Sequence, residues 1–224
     1  MIFFDKVRPY ERIIPHQIYD KVMAYHLKGI IPKATTLLSR IGKLASTIIK
    51  PIHVPIIANW IDKNDSNVHS FNNKYKFNLI YKKSRDGFNC TTFNEKCNGQ
   101  GPFIVLVKVQ SKKIYGGYNP VGYALRNGKW LSSSESFTFS FENNQDMQDM
   151  KIRRIINPTK SIWENCNWVF FNFGEHFYLG KQDFYEHNLE FLVDCYYKYN
   201  NFVFVTSLPI KEIEEIEVFS VLEK

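Results

Sequence analysis

The sequence predicts an α+β chain, mainly β, built as a two-sheet antiparallel β-sandwich with peripheral helices and preceded by a short helical segment and linker. Three observations carry this. Aromatic residues make up 16% of the 224 residues, with 19 Phe and 13 Tyr, a loading that suits strands packed face to face. Short β-rich runs recur from about Phe77 onward, separated by turn residues. Within Ser136 to Phe141, the rings of Phe137, Phe139 and Phe141 alternate with Thr138 and Ser140, so one face is apolar and the other wet.

Met1 to Tyr10 holds only a short apolar run before Asp5 and Lys6, short of the roughly 7 to 15 residues of a signal-peptide core. After Pro15, the residues Ile18, Tyr19, Val22, Met23, His26 and Leu27 recur at three- and four-residue steps. That spacing predicts an amphipathic helix, ended by Gly29 and Pro32. Between Lys21 and Ile61 no acidic residue occurs, while Lys28, Lys33, Arg40, Lys43 and Lys50 are spread among Pro32, Pro51 and Pro55. The stretch reads as a solvated basic linker. We divide the chain into a helical tail with basic linker over 1–48 and a β-sandwich domain over 49–224.

The expected strands are Phe77 to Tyr81, Phe103 to Val109, Ile114 to Tyr118, Ser136 to Phe141, Phe202 to Thr206 and Ile216 to Val221. One helix interrupts them. Thr92 with Glu95 three residues on forms a capping-box pattern, Phe93 and Cys97 lie one turn apart, and Gly99 supplies a stop. A second helical piece is expected near Asp146 to Ile156. No internal repeat has a fixed period.

The net charge of +7 is uneven, with 10 Lys/Arg against 5 Asp/Glu in residues 1–70 and 19 against 17 in 71–224. Nucleic-acid binding calls for a concentrated basic face on the folded domain, and this domain is nearly neutral. No window approaches the roughly 18 apolar residues of a membrane span, so no integral membrane segment is expected. The four cysteines, Cys90, Cys97, Cys166 and Cys195, are too few and too irregular for a disulfide-stapled module. A cytoplasmic protein is the expectation.

Constellations that would carry chemistry are weak. Ser84-Arg85-Asp86-Gly87-Phe88 follows a strand, and Asp-Gly favours a tight turn because Gly accepts positive φ and Asp bonds nearby amides. Gly99-Gln100-Gly101-Pro102 and Gly116-Gly117-Tyr118 stand before a strand and inside one, whereas a phosphate-cradling loop follows a strand and opens a helix. Close packing or a bulge explains the glycine pair better. Cys90 and Cys97 are too far apart in sequence for a zinc pair, and the six histidines form no ligand pattern. Cys97 reads as a buried helix thiol, with Cys90 at the helix start as the alternative redox site. No catalytic residue, metal ligand or cofactor is assigned.

From Leu79 to Tyr118 the order Leu79-Ile80-Tyr81, Ser84, Asp86-Gly87-Phe88, Phe93, Cys97, Gly101-Pro102, strand, Gly116-Gly117-Tyr118 closely resembles the opening half of a TLDc domain. Ser136 to Phe141 resembles that family's Ser-Phe-x-Phe-Ser strand, Phe173-Gly174 its late Phe-Gly, and Glu217-Val218-Phe219 its terminal strand. The similarity spans about residues 70–224. Upstream, Phe4 to Pro15 and the helix after it resemble the tail of a BACK domain, as in fungal BTB-BACK-TLDc proteins. The resemblance implies a two-sheet sandwich with rim helices and a non-enzymatic role in oxidative-stress protection or in regulating the vacuolar proton-pumping ATPase. It implies protein partners, either ATPase subunits or, in the adaptor alternative, ubiquitin-ligase components. Family-motif residues are Ser84, Asp86, Gly87, Phe93, Cys97, Gly101, Pro102, Gly116, Gly117, Phe173 and Gly174. The chain departs from the pattern at Asn94, where the family often has His, and at Gly180, where Asp is usual.

Overall fold

The computed structural model describes residues 44–65, 74–124, 128–142, 150–164, 169–174, 177–180, 190–193, 196–198, 201–203 and 206–224. All lie in one compact unit, Ile41–Lys224. The helix expected over Ile18 to Leu27, the BACK-like lead and the first part of the basic linker lie outside the described residues.

The main layer is a six-stranded antiparallel sheet of β1 (Tyr75–Lys82), β2 (Phe103–Val109), β3 (Ile114–Asn119), β5 (Phe137–Phe141), β6 (Lys151–Arg154) and β14 (Ile213–Glu223). Its order is β1-β14-β2-β3-β5-β6. The terminal strand β14 is thus central, paired with β1 on one side and β2 on the other. A second, four-stranded sheet runs β13 (Thr206–Leu208), β10 (Glu190–Val193), β9 (Phe177–Gly180), β8 (Val169–Phe173). Two small ribbons pair β4 (Lys129–Leu131) with β7 (Ile162–Glu164) and β11 (Tyr196–Lys198) with β12 (Asn201–Val203). The mainly β, antiparallel architecture agrees with the sequence expectation.

Period-two alternation gives the large sheet two apolar faces. On the inner face Val105, Val107, Ile216 and Val218 bury against Phe171, Phe173, Phe177, Leu179 and Phe191 of the second sheet. On the outer face Ile104, Leu106, Phe137, Phe139, Phe141, Phe219 and Val221 bury against Ile48, Ile56, Ile57 and Trp60. That outer cover is helix α1 (Val54–Ile61), entered through a 3-10 turn at Pro51–His53. Pro55 sits in its first turn, where a missing amide costs nothing. All residues from Val54 to Trp60 are buried, each large apolar side chain contributing about 1.5 to 3 kcal/mol. The linker reading therefore fails from Ile48 to Ile61. A helix buried from Val54 to Trp60, its polar Asn59 included, presents no exposed polar face of the kind that identifies a surface helix.

Two further expectations are corrected. Lys151–Arg154 is strand β6, registered on β5, and not part of a helix; its alternate residues are exposed and half-buried, the two-residue period of a strand. Residues 146–149 of that expected helix lie outside the described residues. The single strand expected over Phe202 to Thr206 is two, since Asn201–Val203 pairs with β11 and Thr206–Leu208 with β10. Strands β4, β7, β8, β9, β10 and β11 were not expected.

Candidate interaction site

The family-motif residues begin where β1 ends. Helix α2 (Lys83–Asp86) turns the chain, and Gly87 closes it at φ +84, in the left-handed region that side chains disfavour. The Asp86 carboxylate accepts from the Lys82 amide at 2.9 Å and from the Arg85 guanidinium at 2.9 and 2.7 Å. It also pairs with Lys96 Nζ at 3.2 Å. The Arg85 hydrogen bonds, then the Lys82 amide and Lys96, hold this carboxyl far below the usual carboxylate range against the opposing effect of burial. The Tyr81 hydroxyl donates to the Gly87 carbonyl at 2.6 Å. Ser84 is exposed, and its amide donates to Glu215 Oε1 at 3.0 Å, seating the turn on the start of β14.

Lys96 belongs to helix α3 (Cys90–Cys97), whose N-cap is Asn89 and not Thr92. The Asn89 Oδ1 accepts from the amides of Thr91 at 2.7 Å and Thr92 at 3.3 Å, so the helix begins two residues before the expected box. Phe93 is fully buried and meets Tyr81 and Phe170 edge-on, with centroids 5.0 and 5.3 Å away. Such pairs add about 0.5 to 1.5 kcal/mol beyond burial. Cys97 is fully buried as expected, and burial pushes its thiol far above the ordinary value, which makes it a poor nucleophile. At the departure position, buried Asn94 accepts the Tyr123 hydroxyl at 2.6 Å.

The remaining motif residues are distributed. Gly101 is exposed and Pro102 half-buried, with the Pro102 carbonyl accepting the Val221 amide at 2.7 Å. Gly116 and Gly117 meet aromatic rings on opposite faces of the sheet. A Cβ on Gly116 would stand 2.2 Å from the Phe139 ring, and one on Gly117 would stand 2.7 Å from the Phe173 ring. Phe173 lies in the inner core, and the next residue, Gly174, turns beside Lys160. The Ser84–Gly87 turn and α3 thus form one cross-tied corner, whereas Gly117 meets Phe173 inside the sandwich and Gly116 meets Phe139 on the outer face. Gly180 ends β9 and is buried.

Sequence reasoning missed the partners of Glu217. This fully buried carboxylate on β14 accepts from Ser46 Oγ at 2.5 Å and from the amide and hydroxyl of Thr47, both at 2.8 Å. Lys82 Nζ approaches it at 3.2 Å. A carboxylate flanked by Ile216 and Val218 was the available signal; the strap it holds lies at the other end of the sequence. Buried His53 accepts the Lys50 amide at Nδ1, 3.1 Å away, and tilts over Phe141 at 5.2 Å. Burial, then the Lys50 charge, lowers its pKa to about 4.

Among the described residues no three potential metal-ligating side chains stand together, and no described helix is long and apolar enough to cross a membrane. The Asp86, Glu215 and Glu217 carboxylates are tied to cations, amides and hydroxyls that position backbone. The fold is thus a helix-covered antiparallel sandwich with a cross-tied corner. The model of the TLDc domain matches residues 43–222, and the chain belongs to the TLDc family. No curated protein matches it.

Proposed function

We propose that this chain is a non-enzymatic protein-interaction module of the cytoplasm that serves oxidative-stress protection by binding and regulating the vacuolar proton-pumping ATPase. The observation that carries the proposal is the cross-tied corner: Asp86, held by its neighbour Arg85 within the α2 turn, joins that turn to α3 through Lys96, leaving Ser84, Arg85, Glu95 and Lys96 exposed on backbone that is already fixed. A pre-organised polar surface loses little entropy on docking. TLDc membership supports the interaction class, and the ATPase is the partner the family resemblance implies. In this reading, the lead segment is the tail of a BACK module.

The test is capture of the full chain with its bound proteins from the native cell, beside Asp86→Ala. Recovery of ATPase subunits by the wild type and at least about tenfold less by the variant, with peroxide sensitivity in a deletion strain, is the expected result. Recovery of ubiquitin-ligase components without ATPase subunits, or normal peroxide tolerance, overturns the proposal.

A further inference from the structure

We propose that the sandwich carries an anion-binding pocket at its β6 edge that takes a compact, phosphate-bearing ligand. A cavity of about 430 Å³ opens there, and Lys113, Lys151 and Arg153 line it together with Thr138, Ser140 and Glu142. Its volume falls within the roughly 300 to 1,000 Å³ of small-ligand sites.

Sheet register explains why these groups converge. Thr138 stands opposite Arg153 and Ser140 opposite Lys151 across β5 and β6, and Ser140 stands opposite Tyr115 across β3 and β5. Alternate residues of a strand share a face, so the hydroxyl positions of β5 and the cations of β6 are on one side of the sheet. This is the wet side of the Phe137–Phe139–Phe141 strand, near the edge, where Phe177 of the second sheet also lines the cavity. Among the described residues Glu142 is the one carboxylate in the lining; it pairs with Lys113 at 3.4 Å, and its side chain is 62% exposed. An incoming anion can replace it on Lys113 while the carboxylate turns into solvent.

Among the described lining residues, three cations stand against one carboxylate. Protection of a sheet edge from pairing with another chain accounts for charges along β6. It does not call for a cavity behind them floored by Thr138 and Ser140. Tetrahedral phosphate oxygens match this set, accepting from ammonium, guanidinium and hydroxyl groups together. The phosphate can be that of a soluble ester or of a lipid headgroup.

The probes are inorganic pyrophosphate, followed by calorimetry on the full chain at low salt, and phosphatidylcholine vesicles doped with phosphatidic acid. Saturable pyrophosphate binding is expected, weakened at least about tenfold in K151E/R153E. K76E, which reverses a charge on the opposite edge strand, is expected to leave it within about twofold. Ser140→Asp, which places a negative charge in the cavity, is expected to weaken binding as the pair does and serves if the pair fails to fold. Vesicle retention that pyrophosphate displaces assigns the headgroup as the source; pyrophosphate binding without retention assigns a soluble ester. Absence of saturable pyrophosphate binding, or equal weakening by K76E, overturns the proposal.

Discussion

The two faces of the large sheet bury their side chains against different kinds of cover. The inner face meets a second sheet through rings, with Tyr115 of β3 edge-on to Phe191 at 5.9 Å and stacked on Phe177 at 6.4 Å. The outer face meets a helix and an irregular strap, and there polar groups are buried with the apolar ones: Glu217, His53 and Asn59. Apolar burial is non-directional and tolerates small shifts. Buried carboxylates and imidazoles do not, because an unpaired polar atom costs about 1 to 3 kcal/mol. One face is therefore held by area, and the other has its register fixed by hydrogen bonds to Glu217.

This contrast orders the expected effects. Phe93→Ala removes the ring at the junction of α3 and the inner core, and a loss of about 4 kcal/mol in urea unfolding is expected; a loss under about 1 kcal/mol would place that ring outside the cooperative core. Glu217→Ala leaves the Ser46 and Thr47 donors without their acceptor and Lys82 without its counter-charge, with an expected loss of about 3 kcal/mol. Glu217→Gln, which keeps an acceptor, should cost less. Equal losses for the two variants would show that charge, not acceptance, holds the strap.

Acid should weaken the outer face through His53. Its folded pKa of about 4 lies below the ordinary 6.5, so the unfolded chain takes up the proton first as pH falls. The stability it confers is full above about pH 6.5 and declines down to about pH 4, with about 2 kcal/mol lost between about pH 7 and about pH 5. His53→Leu should flatten that slope in unfolding titrations; an unchanged slope would assign it to other groups. Asn89→Ala, at the rim of the inner face, is the smallest expected effect, about 1 kcal/mol from loss of the α3 cap. A larger effect from Thr92→Ala would restore the capping box at Thr92.

The same contrast explains what was legible in the sequence. Strands β1, β2, β3, β5 and β14 were visible because runs such as Phe137 to Phe141 keep the period of a sheet or fill β-rich segments bounded by turns. Helix α1 was not, because Val54-Pro55-Ile56-Ile57-Ala58 is buried all round and its proline imitates a linker. Val169 to Phe173 runs three aromatics among five residues without clean alternation, so β8 showed no period. At the site, the Asp86-Gly87 turn and the need for glycine at 116 and 117 were readable locally. The Glu217 latch was not, since its partners Ser46 and Thr47 lie some 170 positions away in the chain, and only the fold brings them together.

The central claim is that residues 46–61 form an integral outer layer fastened by Glu217. Hydrogen exchange on the full chain tests it most directly, with Ala58 to Ile61 amides compared with those of β2 in the wild type and in Glu217→Ala. Slow exchange of α1 in the wild type, with selective loss of its protection in the variant while β2 stays protected, is the expected result. Unprotected α1 amides in the wild type, or α1 protection untouched by the substitution, would contradict it.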